Sequence, residues 1–222
     1  MTDESIKKLI SIQENIKNLS INNPIKPEII CVSKTFKIDR LQPLINYGQI
    51  HFGENKVQEA DQKWSEAKNK YRNLKLHMVG KLQTNKAKKA VELFDFIHSL
   101  DSTRLADHLK KRETELKKKL AYFIQINIGD ETQKAGIAPK DAKEFLQYCK
   151  NKINLDVIGL MIIPPNDNNT EKYFKNTLLL NSELGLKHLS MGMSDDYELA
   201  MKFKSTFLRI GSAIMGPRNV KQ

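Results

Sequence analysis

A chain of 222 residues, 40% of them hydrophobic, can build one sizeable core and falls in the range of about 200 to 250 residues of a one-domain α/β barrel, so 1–222 reads as a single domain. It has no apolar run of the roughly 18 residues a membrane span needs, and the polar start Met1-Thr2-Asp3-Glu4-Ser5 lacks the segments of a signal peptide, so a cytoplasmic protein is expected. The net charge of +11 invites a nucleic-acid reading, but 7% aromatics and the absence of any recognisable RNA- or DNA-binding signature argue against specific binding.

The first amphipathic stretch, 3–19, places Ile6, Leu9, Ile10, Ile12 and Ile16 at helical spacing. From residue 29 onward short apolar runs alternate with longer amphipathic ones, the pattern of βα units around a parallel sheet. The spacing predicts strands at 29–33, 50–53, 76–79, 96–99, 122–127, 155–160, 188–190 and 207–210. Helices are predicted over 38–47, 57–67, 84–93, 102–120, 139–150, 170–184 and 194–202. Ser102 and Asp195 stand where N-caps would, and Pro139 suits a first helical turn. The basic runs Lys110-Lys111-Arg112 and Lys117-Lys118-Lys119 alternate with Glu113 and Glu115 inside one helical stretch, the composition of a solvated face. Cys31 and Cys149 have neither disulfide-framework nor zinc spacing and read as small buried hydrophobes. Eight strands with intervening helices predict a (β/α)8 TIM barrel with an extra N-terminal helix; an open doubly wound sheet has the same local pattern.

In a barrel, functional groups gather at the C-terminal ends of the strands. Period-two alternation sets Ile30, Val32 and Lys34 on one face of the first strand, so a buried strand turns the Lys34 ammonium inward; otherwise the strand ends at Ser33 and the amine reaches solvent. Gly211-Ser212 after the eighth strand and Gly192-Met193-Ser194 after the seventh read either as a phosphate cradle or as ordinary serine caps following glycine turns. Arg209 shares the inward parity of Phe207 and Gly211 and needs an acceptor there. A lysine facing a phosphate cradle is the arrangement that pyridoxal 5'-phosphate (PLP) requires.

Several longer segments carry a specific resemblance. They are Val32-Ser33-Lys34-Thr35, Phe52-Gly53-Glu54-Asn55-Lys56-Val57-Gln58-Glu59, His77-Met78-Val79-Gly80-Lys81-Leu82-Gln83-Thr84-Asn85-Lys86, Gln125-Ile126-Asn127 with Lys134-Ala135-Gly136, Gly159-Leu160-Met161, Leu189-Ser190-Met191-Gly192-Met193-Ser194-Asp195-Asp196 and Arg209-Ile210-Gly211-Ser212-Ala213-Ile214. Over nearly its full length the chain resembles the YggS/PROSC family of pyridoxal phosphate homeostasis proteins. The resemblance implies a single-domain, fold-type III PLP barrel like the alanine racemase N-terminal domain, with a covalent aldimine on Lys34. It implies Ser194, Gly211 and Ser212 at the phosphate, Arg209 at the pyridine nitrogen, and Asn55, His77 and Met161 shaping the pocket. Ser212, Met215 and Lys56 stand where Thr, Phe and Tyr are more usual; Ser212 keeps the hydroxyl, and Lys56 is expected to face solvent.

An arginine at the ring nitrogen keeps it unprotonated, unlike the carboxylate of PLP enzymes that use the ring as a strong electron sink. Racemisation also needs an acid/base group on each face of the substrate. Related racemases take one from a second domain, for which the chain leaves no length after its eighth strand; His77 or Tyr47 would have to substitute. The expected function is therefore intracellular PLP (vitamin B6) homeostasis, storing or supplying the cofactor without substantial turnover, as a monomer or weak dimer with PLP-dependent apo-enzymes as recipients and no metal. The alternatives are a PLP-dependent amino-acid racemase, or a barrel enzyme that binds a sugar phosphate through a Lys34 Schiff base.

Overall fold

The computed structural model describes residues 3–20, 25–131 and 135–217. Eight parallel strands, β1 Glu28–Val32, β2 His51–Glu54, β3 Lys75–Met78, β4 Phe96–Leu100, β5 Ala121–Gln125, β6 Asp156–Met161, β7 His188–Ser190 and β8 Phe207–Ile210, close into a barrel in sequence order. Strand β1 pairs with both β2 and β8, which excludes the open doubly wound sheet. Helix α1, Glu4–Leu19, precedes the barrel; α2 Ile38–Tyr47, α3 Val57–Lys70, α4 Ala87–Leu93, α5 Thr103–Leu116, α6 Ala142–Gln147, α7 Thr170–Glu183, α8 Tyr197–Lys202 and α9 Ser212–Met215 each follow one strand.

The strands read as nearly unbroken apolar runs because both of their faces are buried. Their outward side chains, among them Cys31, Phe52, Leu76, Tyr122 and Leu208, join the helices in the larger core. The inward ones, Ile30, Phe123, Met161 and Phe207, form a separate small core within the barrel. Pure alternation does not predict that set, because Tyr122 pairs with Val157 but Phe123 with Gly159. The extra residue in β6 reverses its parity, sending Leu160 outward and Met161 inward.

Helix boundaries depart from the sequence reading where local hydrogen bonds intervene. The helix predicted over 102–120 is capped as expected, Ser102 Oγ accepting from Leu105 N at 3.3 Å, but ends at Leu116 with Lys117 in the left-handed region. The helix predicted from 194 starts at Tyr197, so Asp195 is not its N-cap. The Asp196 carboxylate instead accepts the Met193 amide at 2.6 Å and holds 193–196 as a turn. Residues 84–86 and 139–141 are tighter 3-10 turns leading into α4 and α6. No helix among the described residues is long and apolar enough to cross a membrane.

Below the strand C-termini, the barrel interior is partly polar. His77 and His98 are fully buried, stacked at centroid distances of 4.3 Å on Phe96 and Phe123 respectively. Desolvation drives both imidazoles well below their ordinary value of 6.5, so they are neutral in the fold. Burial also pushes the thiols of Cys31 and Cys149 up to about 12. The two histidines destabilise the fold on the acid side, because below pH 6.5 the unfolded chain binds protons that they refuse in the fold. Their contribution is complete above that value and is lost as the pH falls beneath it, by up to about 1.4 kcal/mol per pH unit for each. Urea unfolding should therefore give a midpoint that is level between about pH 7 and 8 and declines through about pH 6 to 5. A His98→Gln variant, although less stable throughout, should decline less steeply.

Candidate functional site

The loops at the C-terminal ends of the strands surround a cavity of about 240 Å³. Val32 and Lys34 line it from β1 and its following turn, Asn55 and Val79 from the second and third loops, Ile163 from the sixth, Met193, Ser194 and Asp195 from the seventh, and Arg209, Gly211 and Ser212 from the eighth. Six of the residues singled out in the sequence, Lys34, Asn55, Ser194, Arg209, Gly211 and Ser212, thus converge on one space.

His77 and Met161 do not line it. Their strands turn both inward, but within the packed barrel: His77 is held between two other histidines, and Met161 packs in the small interior core. Tyr47 ends α2 at the opposite end of the barrel and is half exposed. Lys56 faces solvent, as expected. Lys134 lies outside the described residues.

Lys34 follows directly on β1, and the residue before it is pinned at every polar group. Ser33 N donates to Gly53 O at 2.9 Å, Ser33 O accepts from Phe36 N at 3.2 Å and from Lys63 Nζ at 2.7 Å, and Ser33 Oγ donates to Glu54 Oε1 at 2.7 Å. Glu54 is wholly buried on the outward side of β2, where Oε1 also accepts from Lys63 Nζ at 2.8 Å and Trp64 Nε1 at 2.9 Å. On the other side of Lys34, Thr35 is held at φ 72°, a left-handed conformation that a β-branched residue seldom adopts, and its amide donates to the Glu59 carboxylate. Strand, turn and helix α3 together leave the lysine backbone little freedom. The sequence gives Glu54 as a motif residue only; that it braces the backbone beside Lys34 follows from Lys63 and Trp64, about two helical turns into α3.

Arg209 is 5% exposed. It donates from Nη1 to Ser190 O at 2.6 Å and Ser190 Oγ at 2.8 Å, and from Nη2 to Ile162 O at 2.8 Å. Burial lowers its guanidinium to about 10, opposed by the charge of Asp196, so it remains protonated at neutral pH. Opposite, the Ser194 hydroxyl accepts from Gly211 N at 3.3 Å and Ala213 N at 3.2 Å, gathering two amides and a hydroxyl at the start of the short helix α9. Two glycines permit this closeness. A Cβ at Gly192, which sits at φ 90°, would lie 2.6 Å from Ala200 Cβ, and one at Gly80 would lie 2.4 Å from Asn55 O.

The lining therefore supplies an amine, a guanidinium, hydroxyls and backbone amides, with Asp195 as its one carboxylate among the described residues. Such a donor set fits an anionic ligand whose other end is electrophilic. No cluster of three or more His, Cys, Asp or Glu side chains suited to a metal occurs among the described residues.

Comparison with known proteins places the family and the fold. The family described as "Alanine racemase, N-terminal domain" matches residues 8–219. The pyridoxal phosphate homeostasis protein of Haemophilus influenzae is 39% identical over 202 residues, which cover 86% of this chain and 85% of that one. The structure of PipY from Synechococcus elongatus with PLP bound superposes with a TM-score of 0.84 at 33% identity, covering 96% of this chain and all (100%) of that one. An alanine racemase from Clostridium difficile, 17% identical with a TM-score of 0.69, shares the fold; the match covers 99% of this chain and 58% of the racemase.

The brace behind Lys34 is open to test. Lys63→Met leaves the Glu54 carboxylate buried without a cation, which should cost about 3 kcal/mol or more of unfolding free energy in urea titration. Lys56→Met, on an exposed side chain, should shift it by less than about 0.5 kcal/mol.

Proposed function

The chain belongs to the alanine racemase N-terminal domain family and within it to the pyridoxal phosphate homeostasis proteins, and from that membership we propose that it binds PLP in this cavity, taking it up on Lys34 to buffer or supply it. The observation that carries the reading is the placing of a braced lysine and a cradle of amides and hydroxyls within one cavity. When bound, the cofactor supplies an aldehyde that condenses with a lysine amine. Lys34 is that amine. Ser194 and Ser212 would take the phosphate, with the amides of Gly211 and Ala213, which here donate to Ser194 Oγ, turning to it; Arg209 would donate to the pyridine nitrogen, and Asn55 with Val32, Val79 and Ile163 would bound the ring.

The same residues argue for retention over turnover. A guanidinium can only donate, so Arg209 opposes a proton on the ring nitrogen where a carboxylate would hold one. Among the described residues no histidine or tyrosine lines the cavity to serve as a second acid/base group. The whole chain, 1–222, acts as one cytoplasmic PLP-binding unit, a monomer or weak dimer, and PLP-dependent apo-enzymes are its recipients.

Borohydride reduction of the PLP-loaded protein followed by peptide mapping should place the pyridoxyl group on Lys34; a label chiefly on another lysine would overturn the assignment. The loaded protein should also racemise no common amino acid at an ordinary enzymatic rate of about 1 to 1000 per second. Such a rate, lost on Lys34→Ala, would establish the racemase instead.

Replacing Ser194 and Ser212 together by alanine removes two hydrogen bonds to a charged group, each worth about 1.5 kcal/mol or more, so PLP affinity measured by absorbance titration should fall at least tenfold.

A further inference from the structure

Arg209 is the upper end of a hydrogen-bonded column that crosses the barrel interior. Its Nη1 meets Ser190 Oγ at 2.8 Å, Ser190 Oγ meets His98 Nδ1 at 2.8 Å, His98 Nε2 meets His77 Nδ1 at 2.9 Å, and His77 Nε2 meets His51 Nδ1 at 2.8 Å. The lower end is the opposite mouth of the barrel, where His51 Nε2 stands 3.6 Å from Glu28 Oε2. Ser190, His77 and His98 are fully buried, whereas the His51 side chain is 12% and that of Glu28 57% exposed.

Donor counting gives the column a direction. Arg209 can only donate, so Ser190 Oγ accepts from it. If the serine hydroxyl donates in turn to His98 Nδ1, then His98, His77 and His51 each carry their hydrogen on Nε2, and every junction down to the Glu28 carboxylate holds one proton. The reverse direction would leave the serine proton without an acceptor in the column and a bare His51 nitrogen facing a carboxylate.

We propose that this column positions Arg209 and makes its hold on a ligand depend on the charge at the far mouth of the barrel. This rests on PLP as the ligand of the cavity. One proton gained from solvent can be accommodated only by reversing the column: His51 becomes a double donor, His77 and His98 carry hydrogen on Nδ1, and Ser190 Oγ accepts from both His98 and Arg209. The serine proton then loses its acceptor, the added charge rests on His51, and the reversed N–H dipoles turn their positive ends toward the serine oxygen that Arg209 uses.

The groups that set the balance surround the column. Glu28 on β1 and Asp95 ahead of β4 favour the proton on His51, and Lys75 on β3 opposes it. Lys68 on α3 and Lys75 oppose a charge on His77, and Arg209 opposes one on His98. His188 on β7, packed on Phe207 at 5.6 Å, is the remaining imidazole at that mouth.

Two measurements test this. Long-range proton–nitrogen NMR of the ligand-free protein, labelled in histidine, should show His51, His77 and His98 all protonated on Nε2 at about pH 8 and changing together at a single midpoint as the pH falls. Nδ1 protonation at the higher pH, or three independent titrations, would overturn the column. The second measurement is PLP affinity at about pH 8 and about pH 5.5 in the wild type and in His51→Gln, whose amide oxygen still accepts from His77 but which cannot take a proton. Acid titration of PLP itself is common to both proteins. The ratio of the two dissociation constants should be greater in the wild type by about threefold to tenfold, the loss of part of one charged hydrogen bond. Equal ratios would overturn the link to Arg209. Failure of PLP to bind either protein would refute the cofactor reading and leave the NMR result to decide the column by itself.

Discussion

A guanidinium buried among neutral acceptors is the constraint on which the cavity and the barrel interior both depend. Arg209 needs acceptors that do not discharge it, and the fold supplies two main-chain carbonyls and a serine hydroxyl at the ends of β6 and β7. Ile162 stands just past β6, whose extra residue at 158 resets its parity, and Ser190 ends the three-residue β7. Once the hydroxyl is committed to Arg209, its own proton requires a partner beneath, and the histidines provide one. A wholly aliphatic barrel interior could not have met that requirement.

Much of this architecture is legible in the sequence. The eight apolar runs are bounded by turns, their parity is right for Lys34 and Arg209, and the serine and glycine positions after the last two strands identify the cradle. The bulge in β6 is not legible, since an extra residue leaves no mark in an apolar run such as Val157, Ile158, Gly159 and Leu160. Plain alternation from Val157 would turn Met161 outward; the family resemblance alone implies a place at the pocket, whereas the bulge turns it into the barrel interior. The resemblance likewise implies His77 at the pocket, but a motif match does not say at which level of the barrel a side chain stops, and this one is held among histidines below the cavity. The histidine column is still harder to see, because its members, from Arg209 to His51, lie on five strands and only closure of the barrel brings His98 to Ser190, 92 residues away. The Glu54, Lys63 and Trp64 brace does have a local signature, a carboxylate followed nine and ten residues later by a cation and an indole donor.

The likeness to alanine racemase shows how one scaffold accommodates different uses. The shared element is the barrel, whose closure places loops from every strand around one mouth. What differs between members has to be sought in the side chains that the loops bring to it. In this chain the polar ones are mostly cations and hydrogen-bond donors, Lys34, Arg209, Asn55, Ser194 and Ser212, set among apolar side chains, a composition suited to gripping an anion.

The buried thiols bear on the same question from another direction. Cys31 lies three residues from Lys34, yet it faces the helices, and desolvation holds it as the neutral thiol. Cys149 is equally shielded behind the barrel wall. On the proposed reading, a protein that holds a reactive aldehyde has to limit the number of its own nucleophiles that compete for it. With both sulfurs shut away from solvent as neutral thiols, that competition is reduced to a choice among amines.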